Sequence, residues 1–321
     1  MKKIAVLADY LEPSHHALID STAARCGFAV DYYPDCRVPA ELAGTYEVVH
    51  GMPKPGDLKA FTGMKWFCGS FAGVDAYLDD ALYPSPEVML SNSSGTYGVT
   101  IAEHLIMVTL MLLRHADTYL HHADAHRWGP VMPMRSIIGS TITVLGTGDI
   151  GTEFARRAKA MGAKAIRGVR RTKKAADPAF DGVFTHEELD SLLPDTDILV
   201  MALPSTADTV GILSRDRIAL LPETAYVINV GRGTAIDQSA LVEALNAGKL
   251  AGAALDVFEK EPIPAGDPVW DAKNLLITPH ISGQMSLGYT RDKNVALFCE
   301  DLENYAAGRP LKRYVDRKIG Y

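Results

Sequence analysis

Residues 141–151 read Thr141-Ile-Thr-Val-Leu-Gly146-Thr147-Gly148-Asp149-Ile150-Gly151. A short apolar strand runs into G-x-G-x-x-G, and a helical pattern follows to Met161, with Gly162 as its stop signal. Gly146 permits a tight turn, Gly148 lets backbone approach a pyrophosphate, and Gly151 lets helix and strand pack closely. The amino end of the helix then favours an anion. The pattern alone is an ordinary Gly-rich turn. After a strand and at the start of a helix, it predicts a dinucleotide site in a doubly wound α/β domain.

Outward from this stretch, the same alternation continues in both directions. Beyond it, 165–169, 197–203, 225–230, 251–257 and 275–278 are strand candidates, which makes six with 141–145. Thr185-x-x-Glu188 is a capping box, and Asp237 caps a helix that ends at Gly248. Before it, strands are expected at 4–7, 28–33, 47–50, 66–69 and 88–91, with a first helix capped at Ser14 and ending at Cys26-Gly27. Strands that alternate with helices imply mostly parallel sheets covered on both faces. Between the two series, 99–122 reads as one helix, apolar nearly all round from Leu105 to Leu113. Such a helix is buried on more than one side, and we expect it at the centre of a homodimer.

Composition narrows the class. The chain has 321 residues, a prior of two domains. It is 47% apolar and 22% charged, which is ordinary for a globular protein and excludes bulk disorder. Its net charge of −7, with no long segregated basic tract, argues against a nucleic-acid partner. The start, Met-Lys-Lys-Ile-Ala-Val-Leu, stops being apolar at Asp9 and reads as a buried strand rather than a secretion signal. The apolar stretch 101–113 is too short for a bilayer, so no membrane association is expected. Cys26, Cys36, Cys68 and Cys299 form no C-x-x-C pair, which favours reduced thiols and a cytoplasmic protein.

Two further places carry chemistry. The strand after the glycine motif ends Ile166-Arg-Gly-Val169-Arg170-Arg171-Thr172, followed by Lys173 and Lys174. An acidic residue is usual there for the ribose 2′-hydroxyl. None is present, and guanidinium groups can instead fork onto a 2′-phosphate. This shifts the expectation to NADP(H) as preferred cofactor, with NAD(H) also usable. Later, Arg232, Glu261 and His280 each follow a strand candidate. Ligand crevices of open α/β sheets lie at the carboxyl ends of strands. Carbonyl reduction needs a proton donor, and histidine, with an ordinary pKa of about 6.5, can serve. A neighbouring carboxylate orients the ring and favours its charged form. An arginine can hold a substrate carboxylate bidentately and polarise the adjacent carbonyl.

With these residues in view, the chain resembles the D-isomer-specific 2-hydroxyacid dehydrogenase family over nearly its full length. The matching pieces are Ser70-Phe-Ala-Gly-Val-Asp75, Asn92-x-x-Gly95, Ile101-Ala-Glu-His104, the glycine motif and Leu203-Pro204 with Thr209. Asn229-Val-Gly-Arg-Gly233, Ala254-Leu-Asp-Val-Phe258 with Glu261-Pro262, and Pro279-His-Ile-Ser-Gly283 complete the set. The resemblance implies a catalytic set of Arg232, Glu261 and His280, and backbone amides near Ala72 and Gly73 that hold the substrate carboxylate. It implies that residues 205–209 flank the cofactor and that Asp256 lies near the nicotinamide amide. Cofactor contacts then comprise Gly146, Thr147, Gly148, Asp149, Ile150, Gly151, Arg170, Arg171, Thr172, Leu203, Pro204, Thr209, Val230, Gly231, Asp256, Ser282 and Gly283. A Rossmann cofactor domain, 99–285, is inserted into a flavodoxin-like substrate domain, 1–98 plus 286–321. Val169-Arg170-Arg171 stands where NAD-using members carry Asp, as in the NADP-using glyoxylate/hydroxypyruvate reductase branch. The expected reaction is reduction of a small 2-oxo acid to the D-2-hydroxy acid. The alternatives are a dinucleotide-sensing regulator on the same scaffold, or a phosphite- or formate-type dehydrogenase.

Other features are set aside. His122 and His126 could share a helix face beside His121, but no third ligand has metal-site spacing, and no metal is expected. His15-His16 reads as an exposed helix start, His104 as a hydrogen-bonded structural residue, and Trp128 and Trp270 as packing.

Overall fold

A computed structural model describes residues 1–173 and 177–321. Lys174, at the end of the basic stretch, lies outside the described residues. The chain forms two compact units, Met1–Tyr97 with Gln284–Tyr321, and Gly98–Gly283.

The first unit holds five strands: β1 (Lys2–Leu7), β2 (Phe28–Tyr32), β3 (Val48–Gly51), β4 (Trp66–Gly69) and β5 (Met89–Ser91). All pair in parallel, in the order β2-β1-β3-β4-β5. Period-two alternation explains the layers. Ile4 and Val6 pack on one face with Ile19, Val295 and Phe298, while Ala5 and Leu7 pack on the other with Tyr46, Val49 and Leu58. The helices Pro13–Arg25 and Gly288–Ala306 therefore share a face, although they come from opposite ends of the chain. The first helix starts one residue before the expected Ser14 cap. Pro13 suits a first turn, so Glu12 takes the cap position and forms a capping box with His15. His15 is accordingly buried, not exposed, with Nε2 2.8 Å from an Asp292 carboxylate oxygen.

Among the described residues the second unit holds seven strands: β6 (Thr141–Leu145), β7 (Ala165–Val169), β8 (Gly182–Phe184), β9 (Ile198–Met201), β10 (Tyr226–Asn229), β11 (Gly252–Leu255) and β12 (Leu275–Ile277). Their order is β12-β11-β10-β9-β6-β7-β8, again all parallel. The order reverses between β6 and β9, which opens the crevice where such sheets bind ligands. Six strands were expected; the additional one, β8, is a three-residue edge strand opened by glycine, too short to carry a period.

The expected helix 99–122 is two helices, Gly98–Leu113 and Ala116–Asp124, bent by 66°. The apolar run ends at Leu113. His115 then adopts a left-handed conformation (φ 54°) and bonds through Nε2 to the Pro133 carbonyl at 2.9 Å. Among the described residues no single helix is long and apolar enough to cross a membrane.

Candidate active site

The glycine motif closes the turn from β6 to the helix Asp149–Ala160. Gly146 has φ 102°, a conformation open to glycine, and a Cβ on Gly151 would lie 1.9 Å from the Gly146 carbonyl oxygen. A Cβ on Gly148 would meet nothing within 4 Å, so this peptide faces open space at the amino end of a helix. Asp149 looks misplaced beside an anion site. Its carboxyl group, however, lies against Gly98, where a Cβ would be 2.5 Å from it. The charge thus sits at the start of the helix Gly98–Leu113, where a carboxylate is favoured. Thr147 and Ile150 are half-buried beside it.

At the end of β7 the side chains divide. Val169 is fully buried, so the outward position is Arg170, whose backbone N–H donates to the Phe184 carbonyl at 3.0 Å. Arg171 and Thr172 are exposed, and Lys173 pairs with Glu188 at 3.1 Å. Nearby, burial pushes the His186 imidazole pKa down, against the Glu187 and Asp208 carboxylates, with Arg217 and Arg171 adding to the lowering. Arg170 and Arg171 thus follow β7 in a neighbourhood that also holds Glu187, Glu188 and Asp208.

Beyond β9, Leu203 is buried and Pro204 exposed. Thr209 is buried; its hydroxyl donates to the Pro204 carbonyl at 2.6 Å and accepts from the Thr206 N–H at 2.8 Å, so it shapes the 204–209 turn. Val230 and Gly231 are buried beyond β10.

Arg232 follows in the same loop. The Asn229 side chain accepts from the Gly231 N–H at 2.9 Å and donates to the Arg232 carbonyl at 2.8 Å, holding that loop. A Cβ on Gly233 would lie 1.9 Å from the Phe258 carbonyl carbon, so only glycine lets this loop approach the one beyond β11. There Glu261 is fixed by the Phe258 N–H, which donates to its Oε1 at 2.9 Å. Its other oxygen, Oε2, meets His280 Nδ1 at 2.7 Å. The structure thus brings Glu261 and His280 together, and places Arg232 at the same carboxyl edge of the sheet.

His280 has φ 53°. A left-handed non-glycine residue costs roughly 1–2 kcal/mol and persists only where its surroundings hold it. The holder is Asp256, 2% exposed. Its backbone carbonyl accepts from the His280 N–H at 2.9 Å. Its carboxylate accepts from the Thr278 hydroxyl at 2.6 Å and from the N–H groups of Ile281 and Ser282 at 3.0 Å each. No local sequence signal marks this scaffold, because its donors lie 22 to 26 positions away. His104 reaches Thr278 Oγ1 from behind at 3.4 Å, and burial lowers its pKa. Ser282 is buried and Gly283 half-buried.

Ala72 and Gly73 belong to the first unit, on the loop beyond β4. Trp128 and Trp270, read as packing residues, are exposed. No group of three or more potential metal ligands occurs among the described residues.

A dinucleotide fingerprint at the sheet's reversal point, with an oriented imidazole at the neighbouring strand ends, serves redox chemistry on a nicotinamide cofactor. The class is that of the NAD(P)-dependent oxidoreductases. The chain belongs to the D-isomer specific 2-hydroxyacid dehydrogenase family, whose NAD binding domain model matches residues 106–282. It is 32% identical over 257 residues to glyoxylate/hydroxypyruvate reductase A of Klebsiella pneumoniae, covering 78% of this chain and 80% of that one. A solved family protein from Aeromonas salmonicida has a TM-score of 0.83 at 30% identity, covering 98% of this chain and 99% of that one. The NADPH-dependent glyoxylate/hydroxypyruvate reductase of Sinorhizobium meliloti, solved with NADP and sulfate, has a TM-score of 0.81 at 26% identity, with 100% of both chains covered.

Proposed function

We propose that this 2-hydroxyacid dehydrogenase reduces a small 2-oxo acid, glyoxylate or hydroxypyruvate foremost, to the D-2-hydroxy acid, preferring NADPH and also using NADH. The observation that carries the reading is the His280–Glu261 pair at 2.7 Å, in a loop that Asp256 holds rigid. Gly146, Gly148 and Gly151 with the helix amino end would hold the pyrophosphate, and Arg170 and Arg171 the 2′-phosphate. When bound, the reduced nicotinamide supplies a hydride to the carbonyl carbon. Arg232 binds the substrate carboxylate and draws charge toward the carbonyl oxygen. His280, its Nδ1 engaged by Glu261, presents Nε2 and delivers the proton to that oxygen. Ala72 and Gly73 are assigned the substrate carboxylate through their backbone amides. A formate-type reaction needs no such proton donor, so an oriented imidazole favours carbonyl reduction.

We further propose a cytoplasmic homodimer. Its support is a run of exposed apolar side chains along one segment, Met107, Leu120, Trp128, Met132, Met134 and Ile138, with Trp128 fully exposed. Light scattering tests it, with a mass near twice 34.8 kDa expected. The reaction itself is tested by a panel of 2-oxo acids followed through NADPH and NADH absorbance. Turnover of glyoxylate or hydroxypyruvate with NADPH ahead is expected. Failure of every 2-oxo acid while phosphite is oxidised would replace the reading.

A further inference from the structure

We infer that Tyr10 and Asn294 are positioning residues: they close a ring of hydrogen bonds that holds Ser93, and through Ser93 the backbone from Gly69 to Phe71 that directs the Ala72 amide toward the carboxylate site it shares with Gly73. The inference rests on the assignment of those amides to the substrate carboxylate, and all its residues lie in the first unit.

The ring is built at the carboxyl ends of β1, β4 and β5. The Tyr10 hydroxyl is 2.8 Å from Ser70 Oγ and 2.7 Å from Asn294 Oδ1. A phenol has one proton, and an amide oxygen can only accept. Tyr10 therefore donates to Asn294, and the Ser70 hydroxyl donates to Tyr10. The Asn294 amide then donates through Nδ2 to Ser93 Oγ at 2.7 Å, and the Ser93 hydroxyl donates to the Gly69 carbonyl at 2.8 Å. The chain of protons starts on Ser70 and ends on Gly69, its neighbour in sequence. Every group has one role, so the ring has one direction. Ser70, Ser93 and Asn294 are all at least 97% buried, and burial pushes the Tyr10 pKa up, which keeps its proton.

What the ring holds, through Ser93, is the backbone from Gly69 to Phe71. Four consecutive carbonyls, from Gly69 to Ala72, accept from fixed donors. Gly69 accepts from the Ser93 hydroxyl, Ser70 from the Tyr97 hydroxyl at 2.5 Å, Phe71 from the Ser93 N–H at 2.8 Å, and Ala72 from Asn92 Nδ2 at 2.6 Å. A peptide unit is planar. Pinning the Phe71 carbonyl therefore orients the Ala72 N–H, and pinning the Ala72 carbonyl orients the Gly73 N–H. Ser93 supplies two of the four pins, and Asn294 with Tyr10 is what holds its hydroxyl.

Tyr10→Phe tests this by removing one oxygen. Two buried groups lose a partner, and an amide direction set less sharply weakens carboxylate binding. For glyoxylate, or whichever 2-oxo acid turns over best, we expect KM to rise roughly fivefold, as one hydrogen bond's worth of positioning implies. The kcat should stay within about twofold, since the proton donor is untouched. The NADPH Kd, measured directly by fluorescence, should not change. Ser70→Ala should behave in the same way, and Ser70→Thr, which keeps the hydroxyl, should restore the KM. An unchanged KM in Tyr10→Phe overturns the inference. So does a parallel loss of kcat, KM and NADPH binding, which marks a purely structural role. The underlying assignment is read separately from the shift of the Gly73 amide resonance when oxalate is added to glycine-labelled wild-type protein. No shift there removes the carboxylate assignment itself. A shift there, with Tyr10→Phe unchanged, removes only the ring.

Discussion

Two histidines, one in each unit, do opposite things. His50 is the third residue of β3, fully buried, stacked on Phe298 with ring centroids 4.0 Å apart. Its Nδ1 is 3.1 Å from the Cys68 carbonyl, and its Nε2 has no hydrogen-bond partner among the described residues. Burial pushes its pKa down to about 4. His280 stands three residues past the end of β12, half-exposed, in a left-handed turn, with Nδ1 on Glu261. The imidazole is the same; its distance from the strand end differs. Inside the strand the fold consumes the ring as packing. Past the end, the ring is half-exposed and one of its nitrogens is held by Glu261.

The largest effect expected from this contrast is at His280. Removing a general acid costs roughly 10²–10⁴-fold in rate. His280→Ala should lose kcat by that margin while NADPH affinity stays near wild type, because the ring acts in the chemical step. A variant within a few-fold of wild-type kcat breaks the comparison. His280 would then be no more functional than His50.

A similar division holds at the end of β7, where Val169 is buried and, just beyond the strand, Arg170 is half-buried and Arg171 exposed. A hydrogen bond to a charged group contributes roughly 1.5–3 kcal/mol, or about 10–100-fold in preference. Replacing both arginines by Ala should remove most of the NADPH-over-NADH ratio in kcat/KM and leave NADH use intact. Exposed charges are screened, so the wild-type ratio should also shrink as salt rises. Equal efficiency with the two cofactors in the wild type means these arginines serve solvent.

Much of this was legible in the chain, for identifiable reasons. Buried parallel strands are short apolar runs bounded by glycine, and the glycine motif sits on the best of them. Arg232, Glu261 and His280 stood out because each follows one of three successive strand candidates. What was illegible depends on distance or on single dihedrals. The break at His115 interrupts a stretch whose composition still suits a helix. The edge strand β8 has three residues. Tyr10 and Asn294 are 284 positions apart, and neither belongs to a local pattern. Nothing local shows that three donors converge on the Asp256 carboxylate.

The smallest expected effect completes the comparison from the buried side. In the folded chain His50 has a pKa of about 4; unfolded, it returns to about 6.5. Between these values the unfolded chain binds a proton that the folded chain refuses. Stability therefore falls as pH drops through 6.5 toward 4, and this contribution is fully present only above about 6.5. From pH 7.5 to 5.5 the loss is about 1.4 kcal/mol, a tenfold change in the folded-to-unfolded ratio. Urea unfolding followed by the buried Trp66, with Trp128 and Trp270 replaced by Phe, reads the unit that contains His50. His50→Gln, neutral at every pH, should lose less stability over that interval by about the same 1.4 kcal/mol. If wild type and variant fall in parallel, His50 is not refusing a proton. The ring would then have to be able to charge inside the sheet, and burial within a strand would not be what separates it from His280.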